Sequence, residues 1–252
     1  MNFSSVNFGS FMVQIYGLLT AVIFGIALWR YYRNLQLHKM DTEFFVHHCW
    51  RWLLGALVVG RLGMVLLDRS IIAQHGIWGI FSFWEGGIHF FFTLLGGLFM
   101  LLLDTYLHRK DALRWLDIAV LPFFFGMMLR DIAGFITGGV YGTETSLPWG
   151  IRYETFDVDV ITPVHPVTLY ALVLHFLVFR YLQRNALTIE RKRGRMAIYG
   201  GILFSISTFI LQFFRGDSTL YLFGTVRLEQ LMAVLALVVL FLLSRRYIQR
   251  DS

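Results

Sequence analysis

At 252 residues, 57% of them hydrophobic and 15% charged, with a mean hydropathy of +0.62, the chain is too apolar for an ordinary soluble domain. Soluble globular proteins are about 45–50% apolar and about 25% charged. The composition predicts a single-domain, all-α integral membrane protein, because inside a bilayer a helix satisfies its own backbone groups. The net charge of +6 lies mostly in short turns beside apolar runs; there it serves topology and contact with anionic lipid, and nucleic-acid binding is not expected.

Seven segments are long enough to cross about 30 Å of hydrocarbon, near 10–30, 50–67, 86–107, 114–138, 164–182, 196–214 and 226–244. The first is long enough to span and has no basic region before it, which predicts no cleavable signal peptide. Sixteen of the 22 Lys and Arg residues follow spans one, three, five and seven. The positive-inside bias then puts the N-terminus outside and the C-terminus in the cytoplasm.

Between spans one and two, His47-His48 lies near Asp41 and Glu43 without spacing to further ligands. No metal site and no cofactor are expected. Cys49 is the single cysteine, which excludes an internal disulfide and fits a soft, apolar packing residue. The aromatic runs at 90–92 and 123–125 are expected to face lipid or the core. Span four opens into a Gly-rich, polar stretch from Arg130 to Tyr170, with Pro148-Trp149-Gly150 and His165-Pro166 as punctuation. Irregular backbone at a membrane boundary persists only if buried in protein or lining a wet cavity. His175 in span five is expected to pack against a helix or the lipid interface, and Gly194 to make a turn.

Six arginines lie in the outer half: Arg61, Arg69, Arg130, Arg152, Arg215 and Arg227. They share it with carboxylates that include Asp68, Glu85, Glu144, Glu154, Asp157, Asp159 and Asp217, with Asp131 and Glu229 just inside. Arg61 and Arg130 fall within or at the edge of apolar spans, where ionisable groups are costly. An outward- or lipid-open cavity with excess Arg suits a phosphate or carboxylate head group. Local pairing, such as Arg215 with Asp217, is the competing account for any one of them.

At these residues the chain resembles the bacterial prolipoprotein diacylglyceryl transferases. The matching landmarks are Tyr16-Gly17-Leu18, Gly60-Arg61-Leu62-Gly63 and Trp84-Glu85-Gly86-Gly87. They continue through Gly134 to Gly142, then Leu147-Pro148-Trp149-Gly150, His165-Pro166-Val167-Thr168-Leu169-Tyr170, and Phe213 to Asp217 with Gln230. The resemblance implies a seven-span protein of the bacterial inner membrane. It also implies phosphatidylglycerol as the lipid and a lipoprotein precursor as acceptor: a diacylglyceryl group passes to a cysteine thiol and glycerol phosphate leaves. The implied substrate-binding set is Tyr16, Arg61, Tyr141, His165 and Arg215, with His89 and Arg130 as the residues that would carry the chemistry.

The departures fall where the family keeps its polar machinery. Its span-three histidine aligns with Phe91, and His89 stands two residues earlier, about 200° away on a regular helix. Its signature arginine aligns with Asp131, its asparagines with Gly134 and Thr137, and its glutamate with Gly139. The span-six arginine and glutamate align with Thr208 and Gln212, and the glutamate of the His-Pro motif with Ala171. Transfer needs a group that ionises the thiol and cations where phosphate departs. The losses favour a relative that binds a phospholipid head group, with a lipoprotein or another membrane subunit as further partner, without normal transfer. The alternative is an active transferase with a rearranged site.

Overall fold

The computed structural model describes residues 5–8, 11–68, 70–81, 87–153, 162–189, 192–217, 221–222 and 226–249. Arg69, Trp84, Glu85, Gly86, Glu154, Asp157 and Asp159 lie outside the described residues. Among the described residues the fold is all-helical apart from two small hairpins. Its helices are α1 (Ile15–Leu37), α2 (Thr42–Leu67), α3 (Ser70–His75), α4 (Phe90–Leu107), α5 (Ala112–Thr137), α6 (Val167–Ile189), α7 (Arg195–Leu211) and α8 (Leu228–Gln249). A 3-10 turn, Gly76–Ile80, follows α3. The hairpins are β1 (Ser5–Phe8) with β2 (Phe11–Gln14), and β3 (Tyr221–Leu222) with β4 (Val226–Arg227).

The seven long helices fall on the seven predicted segments. Four apolar stretches, Thr42–Leu67, Phe90–Leu107, Ala112–Thr137 and Leu228–Arg245, are long and apolar enough to cross a membrane. Boundaries move where local chemistry decides them. α1 starts at Ile15 rather than near residue 10, because 11–14 pair with 5–8 as antiparallel strands. α2 starts eight residues before the predicted 50, because the Asp41 carboxylate accepts the Phe44 N–H at 2.9 Å and caps it. α6 starts after Pro166 rather than at 164, since a residue before proline is held extended.

The chain divides into two compact units, 35–115 and 1–34 with 116–252. In the 35–115 unit, α2 and α4 lie antiparallel and close. A Cβ at Gly63 would stand 2.6 Å from Phe92 Cβ, and one at Gly96 would stand 2.7 Å from Val59 Cβ. Small residues let helix backbones approach in this way where lipid offers no hydrophobic drive. At one end of the pair, Asp104 is fully buried; it accepts from Trp52 Nε1 at 2.8 Å and pairs with Arg51 Nη1 at 3.1 Å. Phe44, Trp52 and Trp115 pack edge to face around it. Lys110 closes this end with Asp41 at 2.7 Å, holding the Asp41 carboxyl below the usual carboxylate range together with the Phe44 N–H.

In the other unit, α5, α6 and α7 meet through Phe123, Phe124, His175 and Phe204, with Phe123 and Phe204 edge to face at 5.1 Å. The Arg30 guanidinium of α1 lies over the Phe125 ring at 5.5 Å. Gly194 makes the expected turn, with φ +78°, and is the N-cap of α7 without a side chain to cap it. The buried carboxylate of Asp117 on α5 supplies the missing acceptors, taking Gly194 N–H at 2.6 Å and Ala197 N–H at 2.8 Å.

Asp117→Ala leaves those two N–H groups without acceptors, and the expected loss is about 1–3 kcal/mol, read as a lowered unfolding midpoint in detergent. Asp41→Ala at the more exposed cap should cost about 1 kcal/mol, while Asp41→Asn keeps the cap and loses only the charge pairing with Lys110. Because the Asp41 carboxyl is depressed in the folded state, its contribution is present above the ordinary carboxylate range. It is lost only as pH falls through the lowered value. An Asp117→Ala variant as stable as the parent would contradict the cross-helix cap.

Candidate functional site

The polar stretch after α5 folds into a small platform of paired backbone. Residues 141–145 form its centre. On one side, Thr143 N–H donates to Phe214 O at 2.8 Å and Gly216 N–H to Tyr141 O at 3.0 Å. On the other, His165 N–H donates to Thr143 O at 3.0 Å and Thr145 N–H to Pro163 O at 2.9 Å. Val164 pairs outward in turn with Ile151, exchanging bonds of 3.0 and 2.9 Å. Gly142 sits between two backbones: a Cβ there would lie 2.6 Å from His165 Cβ and 2.8 Å from Phe214 O. Only glycine permits this closeness.

Three of the predicted residues, Tyr141, His165 and Arg215, thus converge. Arg215 bridges to Gly142 and grips Asp217 with two guanidinium nitrogens, Nε at 2.8 Å and Nη2 on the other oxygen. This is the fork-to-fork geometry that arginine offers a carboxylate. His165 is held through its ring as well as its backbone. Trp149 Nε1 donates to Tyr170 Oη at 2.8 Å, and Tyr170 Oη lies 3.2 Å from His165 Nδ1. Tyr141 packs against Tyr153, Val164 and Ile151 in the core beneath the platform. Burial raises the Tyr153 phenol above its ordinary value, so it stays neutral there.

One helix away, the C-terminal half of α5 holds Arg130 and Asp131. Asp131 is only 2% exposed; its Oδ2 lies 2.6 Å from His175 Nδ1 on α6, and its Oδ1 3.1 Å from Arg130 Nη2. The other imidazole nitrogen, Nε2, is buried with no hydrogen-bond partner. His175, which the sequence suggests only packs, is thus paired with a buried acid. A turn further along, a Cβ at Gly134 would come 3.2 Å from Thr168 Cγ2 on α6. The aligned positions Thr208 and Gln212 lie at the end of α7, where Gln212 is buried.

Two predicted residues belong to the 35–115 unit. Arg61 is 2% exposed and donates to Gly79 O at 2.6 Å and Gly87 O at 3.0 Å, fastening the connection between α2 and α4. His89 precedes the first turn of α4, next to Gly87 with φ +77°, so the start of this span is irregular. Its ring lies edge to face with Phe92 at 5.3 Å, and its N–H donates to Gly60 O at 3.1 Å. Tyr16 lies in the first turn of α1, with its side chain outside the described residues.

Sequence reasoning missed the Asp131–His175 pair because its members are 44 residues apart. The available signal was two ionisable residues in neighbouring apolar spans, each needing a partner. Asp131→Leu should destabilise the protein by about 1–3 kcal/mol by stranding the imidazole. The Asp131→Leu/His175→Phe pair should cost clearly less than the sum of the single changes, as expected for a direct contact. Strict additivity in a denaturation cycle would mean that the two side chains do not interact.

The prolipoprotein diacylglyceryl transferase family profile matches residues 4–245. A phosphatidylglycerol–prolipoprotein diacylglyceryl transferase of Wolbachia pipientis subsp. Culex pipiens (strain wPip) is 25% identical over 245 residues, covering 93% of this chain and 91% of that one. The enzyme of the same name from Erythrobacter litoralis (strain HTCC2594) is 28% identical over 222 residues, or 83% and 75% of the two chains. That from Acinetobacter baumannii (strain SDF) is 27% identical over 247 residues, or 93% and 88%. With the profile running through the platform and all seven long helices, this chain belongs to the prolipoprotein diacylglyceryl transferase family.

Proposed function

We propose that this chain binds the phosphate-bearing head group of a phospholipid, phosphatidylglycerol by the names of its relatives, and has little or no diacylglyceryl transfer activity. The observation that carries the reading is Asp131. Where the resemblance puts an arginine for the departing phosphate, a buried carboxylate stands instead, already bonded to His175 and Arg130. A negative charge there opposes the charge that develops in transfer, and losing one preorganised donor typically costs about 10²–10³ in rate. Arg130 and Arg215 keep 31% and 26% of their side chains exposed beside their acids. Both can meet a head group, with Tyr16, Tyr141 and His165 as the wider set in the same unit.

One observation favours the second reading, an active enzyme with a rearranged site. A histidine whose Nδ1–H is held by a carboxylate is the arrangement that makes Nε2 a base, and His175 has it. Purified protein incubated with phosphatidylglycerol and a lipobox peptide separates the two, with the peptide mass as readout. No mass gain is expected, while vesicles containing phosphatidylglycerol bind more tightly than neutral ones. Rapid mass gain, abolished by His175→Phe, would establish the second reading.

The same proposal takes the chain to be one transmembrane domain of the bacterial inner membrane, with seven spans, the N-terminus outside and the C-terminus in the cytoplasm. The distribution of Lys and Arg supports it. A reporter fused after Arg250 should be active only as a cytoplasmic fusion, and a cysteine placed at Glu144 should react with an impermeant reagent from outside. Reaction of both positions from one side would remove the seven-span arrangement.

A further inference from the structure

We propose that His48, Asp104 and His108 form a binding site for one divalent transition-metal ion at the end of the α2–α4 pair. One ligand atom from each lies within 4.8 Å of the others. The tautomers suit it. His48 Nδ1 is 2.9 Å from Phe44 O and His108 Nδ1 is 2.9 Å from Asp104 O. Each is one turn from its carbonyl, which can only accept, so each Nδ1 carries the hydrogen and each Nε2 keeps its lone pair. Fixing the far ring nitrogen on a carbonyl is how proteins orient imidazoles toward a metal.

The carboxylate is equally prepared. Trp52 Nε1 donates to Asp104 Oδ2 at 2.8 Å, and Arg51 stands 3.1 Å from Oδ1. An ionised carboxylate has about four lone-pair directions, so an ion takes one that these two leave open. The guanidinium offsets the carboxylate charge and tempers the affinity without filling the site. Asp104 is fully buried, His48 partly so and His108 exposed, which leaves the histidine side open to water for the ion to arrive.

Two imidazoles and one carboxylate select zinc, cobalt or nickel over calcium and magnesium, which prefer oxygen ligands. Tetrahedral zinc, with bonds of about 2.0–2.1 Å, draws the three atoms closer by small rotations of the two histidines. A fourth position stays available to water. The sequence gives no hint of this set: 56 and 60 residues separate His48 from Asp104 and His108, and the neighbour it points to, His47, turns to Glu43 O instead.

The test uses the full chain, tag-free and stripped with chelator in detergent, titrated with zinc by calorimetry. One equivalent should bind. His48→Ala and His108→Gln should each weaken binding at least about 10-fold, as loss of even an outer partner does, while His47→Ala leaves it unchanged. Cobalt should give tetrahedral visible bands that vanish in His108→Gln. This residue is exposed, so the variant folds and decides the matter even if His48→Ala does not. Absence of a stoichiometric site in the parent, or equal binding by parent and His108→Gln, overturns the proposal.

Discussion

The carboxylate of Asp131 has to be satisfied among packed helices, and much of the 1–34/116–252 unit is arranged around that requirement. An unpaired buried charge costs several kcal/mol, and two partners from different places prevent this. Arg130 comes from the same helix and His175 from α6, where its ring also lies beside Phe124 and Phe204. One acid thereby fixes the register of α5 against α6 and sets an imidazole in the aromatic contact that joins α7. The platform of backbone pairs begins just beyond, where α5 ends at Thr137.

The family scaffold in this chain rests on residues that shape backbone. The residues that shape backbone are retained: Gly142 between its two neighbours, the Pro148-Trp149-Gly150 turn, and the His165-Pro166 entrance to α6. They are needed whether or not a bond is made, because the loop must bury its backbone polar groups in any case. Side chains that act on a phosphate or a thiol would carry no such structural duty. Trp149 and Tyr170 carry such a duty, since Trp149 Nε1 donates to Tyr170 Oη, which lies 3.2 Å from His165 Nδ1.

Long helices were legible from apolar runs, and their ends were legible only where a cap or proline marks them. Asp41 before Thr42 is such a mark, and was passed over in favour of hydropathy. The pair Arg215–Asp217 could be read because it spans two residues. Asp131 with His175, and Asp117 with the start of α7, could not, since each joins helices far apart in sequence. Hydropathy reports which residues enter a membrane; it carries no information on which polar ones meet there.

The contact between Gly134 and Thr168 sets how much room the end of α5 has. A methyl group at residue 134 would stand 3.2 Å from Thr168 Cγ2 on α6 and press on it. Any side chain placed at residue 134 meets the Thr168 methyl first, so the closeness of α5 and α6 just before the platform depends on that residue having none.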